Sequence, residues 1–186
     1  MLLDEPRIPP LPESDWTPEI RELLPKTSTV SGGAPLNIFT TLVRHPGLFK
    51  RWMVFGTHVL FKSTLPPRER ELVILRVGWL CKSEYEFGQH TRIGRDAGLS
   101  DEEIRRITLG PDANGWSDND RTLLRAADEL HRDQMIGDAT WSALRAFLAE
   151  RQILDLLFAI GQYTLVSMVL NTLGVQLEKS AEGFPK

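Results

Sequence analysis

Only one cysteine, Cys81, occurs in 186 residues, so the chain can build neither an intrachain disulfide, nor a dithiol mechanism, nor a multi-thiolate metal site. Positive charge is not in excess either. The 22 Lys and Arg stand against 25 Asp and Glu, a formal net charge of -3, and the two signs are scattered, which leaves no broad cationic surface for nucleic acid. The start, Met1 to Pro6, lacks the basic residues and apolar run of a secretory signal, which together with the lone thiol predicts a cytoplasmic protein. Uninterrupted hydrophobicity is also scarce. The most apolar stretch, 153–175, is long enough to span a bilayer but carries Asp155, Gln162 and Asn171, so a buried helix is expected and no membrane partner. Apolar on nearly all sides, that helix should sit at the centre of the domain or against another subunit.

What is present fits one domain with a sizeable core: 41% of residues are hydrophobic and 25% charged. Seven of the twelve prolines fall in the first 35 residues, with Ser31-Gly-Gly33 near the end. This predicts an extended arm over 1–35, broken only by a short helical turn from Pro18 to Leu24, that either wraps a neighbouring subunit or stays mobile. A single all-α domain is expected over 36–186. Apolar residues recur every three or four positions, and no alternating strand pattern appears. Helices are predicted from Pro46 to about Phe61, from Thr64-Leu-Pro-Pro67 to about Leu80, and from Ser83 to Ala97, stopped by Gly98. Ser100-Asp-Glu-Glu103 is a capping box. After the loop 110–115, Ser117 or Asp118 starts a helix to about Gln134, Asp138 another to about Ala149, and the apolar helix follows, seven or so in all.

On the third of these helices Ser83, Glu86 and His90 share one face with Phe87, Ile93, Gly94 and Ala97, whereas Glu84, Arg92, Arg95 and Asp96 lie opposite and look solvated. The Glu86 and His90 face is thus the buried one. Ionisable groups in an apolar stripe are costly unless paired. At a spacing of four, the Glu86 carboxylate can hold one ring nitrogen of His90 and leave the other facing a cavity. Glu71 projects from the preceding helix, which is apolar around almost its whole circumference, and Gly78 two turns on leaves room above it for a neighbour or a small molecule. Two buried carboxylates near one histidine raise the pKa of at least one of them and fit it for proton transfer. Three readings stay open on the residues alone: a satisfied core pair, an acid/base site, or a metal site with Glu71 as third ligand, although no second Glu-x-x-His motif occurs. Tyr163 and Asn171 read as core hydrogen-bonding groups, Cys81 as a small packed hydrophobe, and His131 as the one other histidine near an apolar stripe.

Leu65-Pro-Pro-Arg-Glu-Arg-Glu-Leu-Val-Ile-Leu-Arg-Val77, Ser83-Glu-Tyr-Glu-Phe-Gly-Gln-His90 and Ala97-Gly-Leu-Ser-Asp-Glu-Glu103 resemble the carboxymuconolactone decarboxylase family, within the alkylhydroperoxidase D-like superfamily. Asp128-Glu-Leu-His131, Ile136 to Trp141 and Gly161 to Val175 look like the same lineage, so the resemblance covers about 36–178. It implies an alkylhydroperoxidase D-like helical bundle. The peroxidase branch carries Cys-x-x-Cys-x-x-x-His; here Ser83 and Glu86 stand at the thiol positions, so its peroxidase activity does not carry over. Glu71 and His90 match the proton-relay positions, and Glu86 looks like the acidic residue of the decarboxylase-like branch, which uses no metal or organic cofactor. The resemblance implies acid/base chemistry on a small carboxylated lactone or unsaturated acid, by decarboxylation or isomerisation. His90 would be the proton donor, Glu86 its orienting partner and Glu71 a second acid/base. Ser83 and Tyr85 would contact substrate, and Arg76 would clamp its carboxylate. Homo-oligomers, trimers or hexamers, are the expected assembly. Two other functions remain: a redox protein using Cys81 alone, and a noncatalytic ligand-binding or assembly protein.

Overall fold

The computed structural model describes residues 3–27, 35–179 and 181–185, so Ser31-Gly-Gly33 lies outside the described residues. Among the described residues every regular element is helical. Thr17, through its side chain, and Pro18 start α1 (Pro18–Leu23), and α2 spans Asn37–Leu42. His45 caps α3 (Pro46–Phe61), its Nδ1 accepting from the Leu48 amide. Next come α4 (Pro67–Leu80), which also opens on proline, and α5 (Glu84–Asp96). The Ser100 and Glu103 capping box opens α6 (Asp101–Leu109), and Ser117 caps α7 (Asp118–Asp133), which ends on a left-handed Gln134. The next helix, α8 (Asp138–Arg145), is shorter than its periodicity suggested, and α9 (Glu150–Leu173) stops at left-handed Gly174.

The centre of the bundle is α4, not the long apolar α9. Every residue of α4 from Arg70 to Gly78 is buried, with α5, α6, α7 and α9 packed around it. Helix α9 is the one helix among the described residues with the length and apolarity to cross a membrane, and half of its most apolar window is buried within this chain. It turns Ile153, Leu156, Ile160, Tyr163 and Val166 inward but leaves Leu154, Phe158, Leu165 and Met168 exposed. Those four follow alternating four- and three-residue steps through Gly161, the spacing of a helix-packing seam.

The two helices that carry the site cross closely because neither has a side chain at the crossing. A Cβ on Gly78 would meet the Phe87 backbone nitrogen at 3.3 Å, and one on Gly94 would meet Leu75 and Leu99 at 3.2 Å. Of the neighbour or small molecule for which Gly78 was expected to leave room above Glu71, it is a neighbour, α5, that takes the space.

The described part of the N-terminal arm lies on its own chain. Leu11 donates to the Thr40 carbonyl and Arg7 to that of Leu173, while Ile20, Leu23 and Leu24 are buried with Phe39, Phe49 and Val166 in a second apolar cluster. The C-terminal segment straps α5 from the other side. A Cβ on Gly88 would stand 2.1 Å from the Glu182 carbonyl oxygen, so only glycine lets the strap pass. Phe184 packs edge-on against Trp79 and Phe87. Glu178 accepts from the Asn37 amide at 2.7 Å, the Tyr85 hydroxyl at 2.9 Å and the Gln89 amide, joining the start of α2 to the first half of α5.

Candidate functional site

The close crossing of α4 and α5 brings Glu71, Glu86 and His90 into contact in the interior. His90 Nδ1 lies 2.6 Å from Glu71 Oε2 and Nε2 lies 3.0 Å from Glu86 Oε1. All three side chains are at least nine-tenths buried, Glu71 completely. Arg70, also buried, donates its Nε to the second Glu71 oxygen at 3.1 Å. The four groups form the chain Arg70, Glu71, His90, Glu86, which carries two positive and two negative charges and is neutral in sum. Such pairing is what allows ions in a dry interior.

Burial alone would press the His90 imidazolium toward its neutral form, but the Glu71 charge, then the hydrogen bonds to Glu71 and Glu86, overcome this, and the ring's pKa is raised from 6.5 to about 10. Unfolding returns the ring to its ordinary value. The stability gained from protonated His90 is thus fully present below about pH 6.5 and is lost as pH rises through about 10. In an NMR titration the His90 ring signals should stay in the imidazolium position from pH 6 to 8.

A cavity opens beside this cluster, with about 80 Å³ open to water centres, room for about half a dozen waters or one small planar ring. Glu86 and His90 border it, whereas Glu71 does not. Both ring nitrogens of His90 are engaged by carboxylates, so the arrangement differs from one nitrogen held and one free, and the lone pair a metal would need is already taken. Among the described residues no group of three or more His, Cys, Asp and Glu is disposed to hold a metal. Phe39, Trp52, Met53 and Val166 supply apolar wall, and the Tyr163 ring stands edge-on to His90 with centroids 4.7 Å apart.

The other expected site residues divide. Tyr85 borders the cavity, but its hydroxyl is committed, accepting from the Ile38 amide at 3.2 Å and donating to Glu178; burial first, then the Glu178 charge, holds its pKa far above the usual phenol value. Ser83 is fully buried at the start of α5, does not border the cavity, and its hydroxyl has no partner among the described residues. Arg76 is no substrate clamp. Its guanidinium meets Asp128 in a two-point contact at 2.6 and 2.9 Å and donates to the Ile107 carbonyl at 2.7 Å, tying α4 to α7 and α6 away from the cavity. Cys81 stands outside the cavity with its sulfur 3.8 Å from His131 Nδ1, and burial pushes its thiol pKa up, which disfavours the thiolate a redox role needs. Asn171 donates to the Cys81 carbonyl. Arg92, at the exposed rim, and Gln162 also border the cavity and were not expected there, and Tyr163 lines it although it read as a core hydrogen-bonding group.

Residues 46–129 match the model of the carboxymuconolactone decarboxylase family. No curated protein matches the sequence. Among solved structures, the chain is similar to an uncharacterised peroxidase-related protein from Ralstonia eutropha, described as an alkylhydroperoxidase AhpD core, with 20% identity over 92% of this chain and 93% of that one and a TM-score of 0.79. A peroxidase-related protein from a Silicibacter species is 16% identical, covering 96% of this chain and 92% of that one, with a TM-score of 0.77. The debrominase Bmp8, solved as a cysteine-to-alanine variant with 2,3,4-tribromopyrrole, is 12% identical over 92% of this chain and 91% of that one, with a TM-score of 0.78. At these identities the shared property is the fold.

Proposed function

We propose that this chain, whose residues 46–129 match the model of the carboxymuconolactone decarboxylase family and whose single cysteine leaves no Cys-x-x-Cys pair, is an enzyme transferring protons by acid/base catalysis, without metal or organic cofactor. Its substrate is a small carboxylated lactone or unsaturated acid, and the reaction a decarboxylation or isomerisation. The observation that carries this reading is the His90 imidazolium held between two carboxylates, one of which, Glu86, stands on the cavity wall.

In this reading the roles differ from the family pattern. Glu86 faces the cavity and exchanges protons with the substrate. His90 recharges Glu86 from Nε2, and Glu71, backed by Arg70, is a positioning residue that keeps the ring charged and oriented. In a decarboxylation the bond from carbon to the departing carboxylate breaks, carbon dioxide leaves, and the electron pair delocalises into a dienolate. Glu86, a carboxylate at rest, takes a proton from His90 Nε2 and passes that proton to carbon, and His90 is reprotonated from solvent. In an isomerisation the same pair removes a proton at one carbon and returns it at another. Bmp8 has been solved with a small planar ring, the size of molecule this cavity suits.

Turnover of candidate carboxylated lactones in deuterated water should place solvent deuterium at carbon in the product, and a Cys81→Ser variant should do the same at an undiminished rate. Unlabelled product would defeat the acid/base reading, and loss of activity in Cys81→Ser would favour the redox one. The reading includes a cytoplasmic homo-oligomer, trimeric or hexameric, packed through the exposed face of α9. Sedimentation should then show a multiple of 21.1 kDa, and Phe158→Glu with Leu165→Glu should reduce it to one chain.

A further inference from the structure

Gln162 and Tyr163 are 6% and 7% exposed, both border the cavity, and among the described residues neither side chain hydrogen-bonds to the protein. The contrast within the chain is sharp. The other four glutamines, Gln89, Gln134, Gln152 and Gln176, all donate through their amides, and Tyr85, the other tyrosine, both donates and accepts. Polar groups this deep normally have partners. Two adjacent exceptions, on the same wall and beside the acid/base cluster, point to a partner that enters from outside. The protonated phenol and the amide nitrogen together offer three donors, which an acceptor oxygen can satisfy, while the phenol oxygen and the amide Oε1 stay open to accept from water. Arg92, at the exposed rim of the cavity, is the only Lys or Arg among its described lining residues and has no ion pair among the described residues. Phe39, Trp52 and Met53 line the same cavity.

We propose that Tyr163 and Gln162 receive the ring carbonyl oxygen of a planar, unsaturated lactone or ketone, while Arg92 holds its carboxylate at the rim. This rests on the acid/base reading and deepens it. A carbonyl placed there becomes the enolate oxygen when the electron pair arrives, and donors already aimed at it stabilise the charge as it develops. Glu86 then reaches the adjacent carbon. Arg92 takes the part that the sequence pattern gave to Arg76, whose guanidinium is spent on Asp128.

The test is equilibrium binding to the full chain at pH 7 by calorimetry, with three probes: 2-pyrone-5-carboxylate, its methyl ester, and benzoate, which has the carboxylate but no ring carbonyl. Wild-type protein should prefer the pyrone acid to benzoate by roughly tenfold and to the ester by about fivefold. Tyr163→Phe and the isosteric Gln162→Met should each erase most of the preference over benzoate, by roughly three- to tenfold, and leave the acid-to-ester ratio alone. Arg92→Gln should do the reverse. Ratios are read, so a partly destabilised variant still reports. No binding of the pyrone acid to wild type, or unchanged ratios in the variants, overturns the assignment. Unchanged ratios with turnover lost in Glu86→Gln overturn this inference and spare the acid/base reading; altered ratios with no solvent label in any product do the opposite.

Discussion

Glu86→Gln should lower turnover by roughly 10²- to 10⁴-fold while the protein unfolds close to the wild-type temperature. The amide keeps the volume and can still accept from His90 Nε2, now at 3.0 Å from a carboxylate oxygen, so the packing survives. What goes is the only carboxyl group among the described residues of the cavity border, and with it the group that hands protons across. The imidazolium also loses one of the two carboxylates that raise its pKa, so its titration should move down toward the ordinary histidine range. A rate within tenfold of wild type in a folded Glu86→Gln protein would transfer the role to His90 itself, and the His90→Gln rate would then decide.

The second large effect is on stability. Glu71→Ala leaves buried Arg70 with no carboxylate and the His90 imidazolium with Glu86 alone, and opens a void, which should cost about 3–5 kcal/mol, a large share of the 5–15 kcal/mol typical of a domain. Urea midpoints would measure it. The loss has a pH signature that a cavity alone does not produce. It should be largest below about pH 6.5 and should shrink as pH rises through about 10, because the wild-type advantage from protonated His90 disappears over that interval. Glu71→Ala combined with His90→Phe should recover part of the loss, since no half-paired imidazolium remains.

How much of this was legible in the sequence depended on range. Helix starts were written locally: Thr17, Ser100 and Ser117 accept from amides in the first turn, and Pro18, Pro46 and Pro67 occupy it. The pairing of Glu86 with His90 was equally local, being one turn of one helix. The partner of the other ring nitrogen was not, because it depends on how closely α4 and α5 cross, and the glycines that set this distance, Gly78 and Gly94, read as open space and as one more small residue. Arg76 looked available because Asp128, which holds it, lies 52 residues away. Helix α9 looked like the centre or a subunit contact because of its composition, but α4 is the helix buried without a break from Arg70 to Gly78: burial of Arg70, Glu71 and Arg76 by partners hides its core position from a hydrophobicity reading. Gln162 and Tyr163 carried a faint signal, two adjacent polar residues in an otherwise apolar helix. Sequence alone could not separate a satisfied core pair from one waiting for a ligand.

Glu178 gives the site a birth order. Its carboxylate gathers Asn37, Tyr85 and Gln89, so one side of the hollow is sewn together by a residue translated long after the three it binds. Nascent chains that stop short of it can form the charged quartet but not the finished wall, and competence to capture a guest should therefore switch on late in synthesis, when the ribosome has passed this one glutamate.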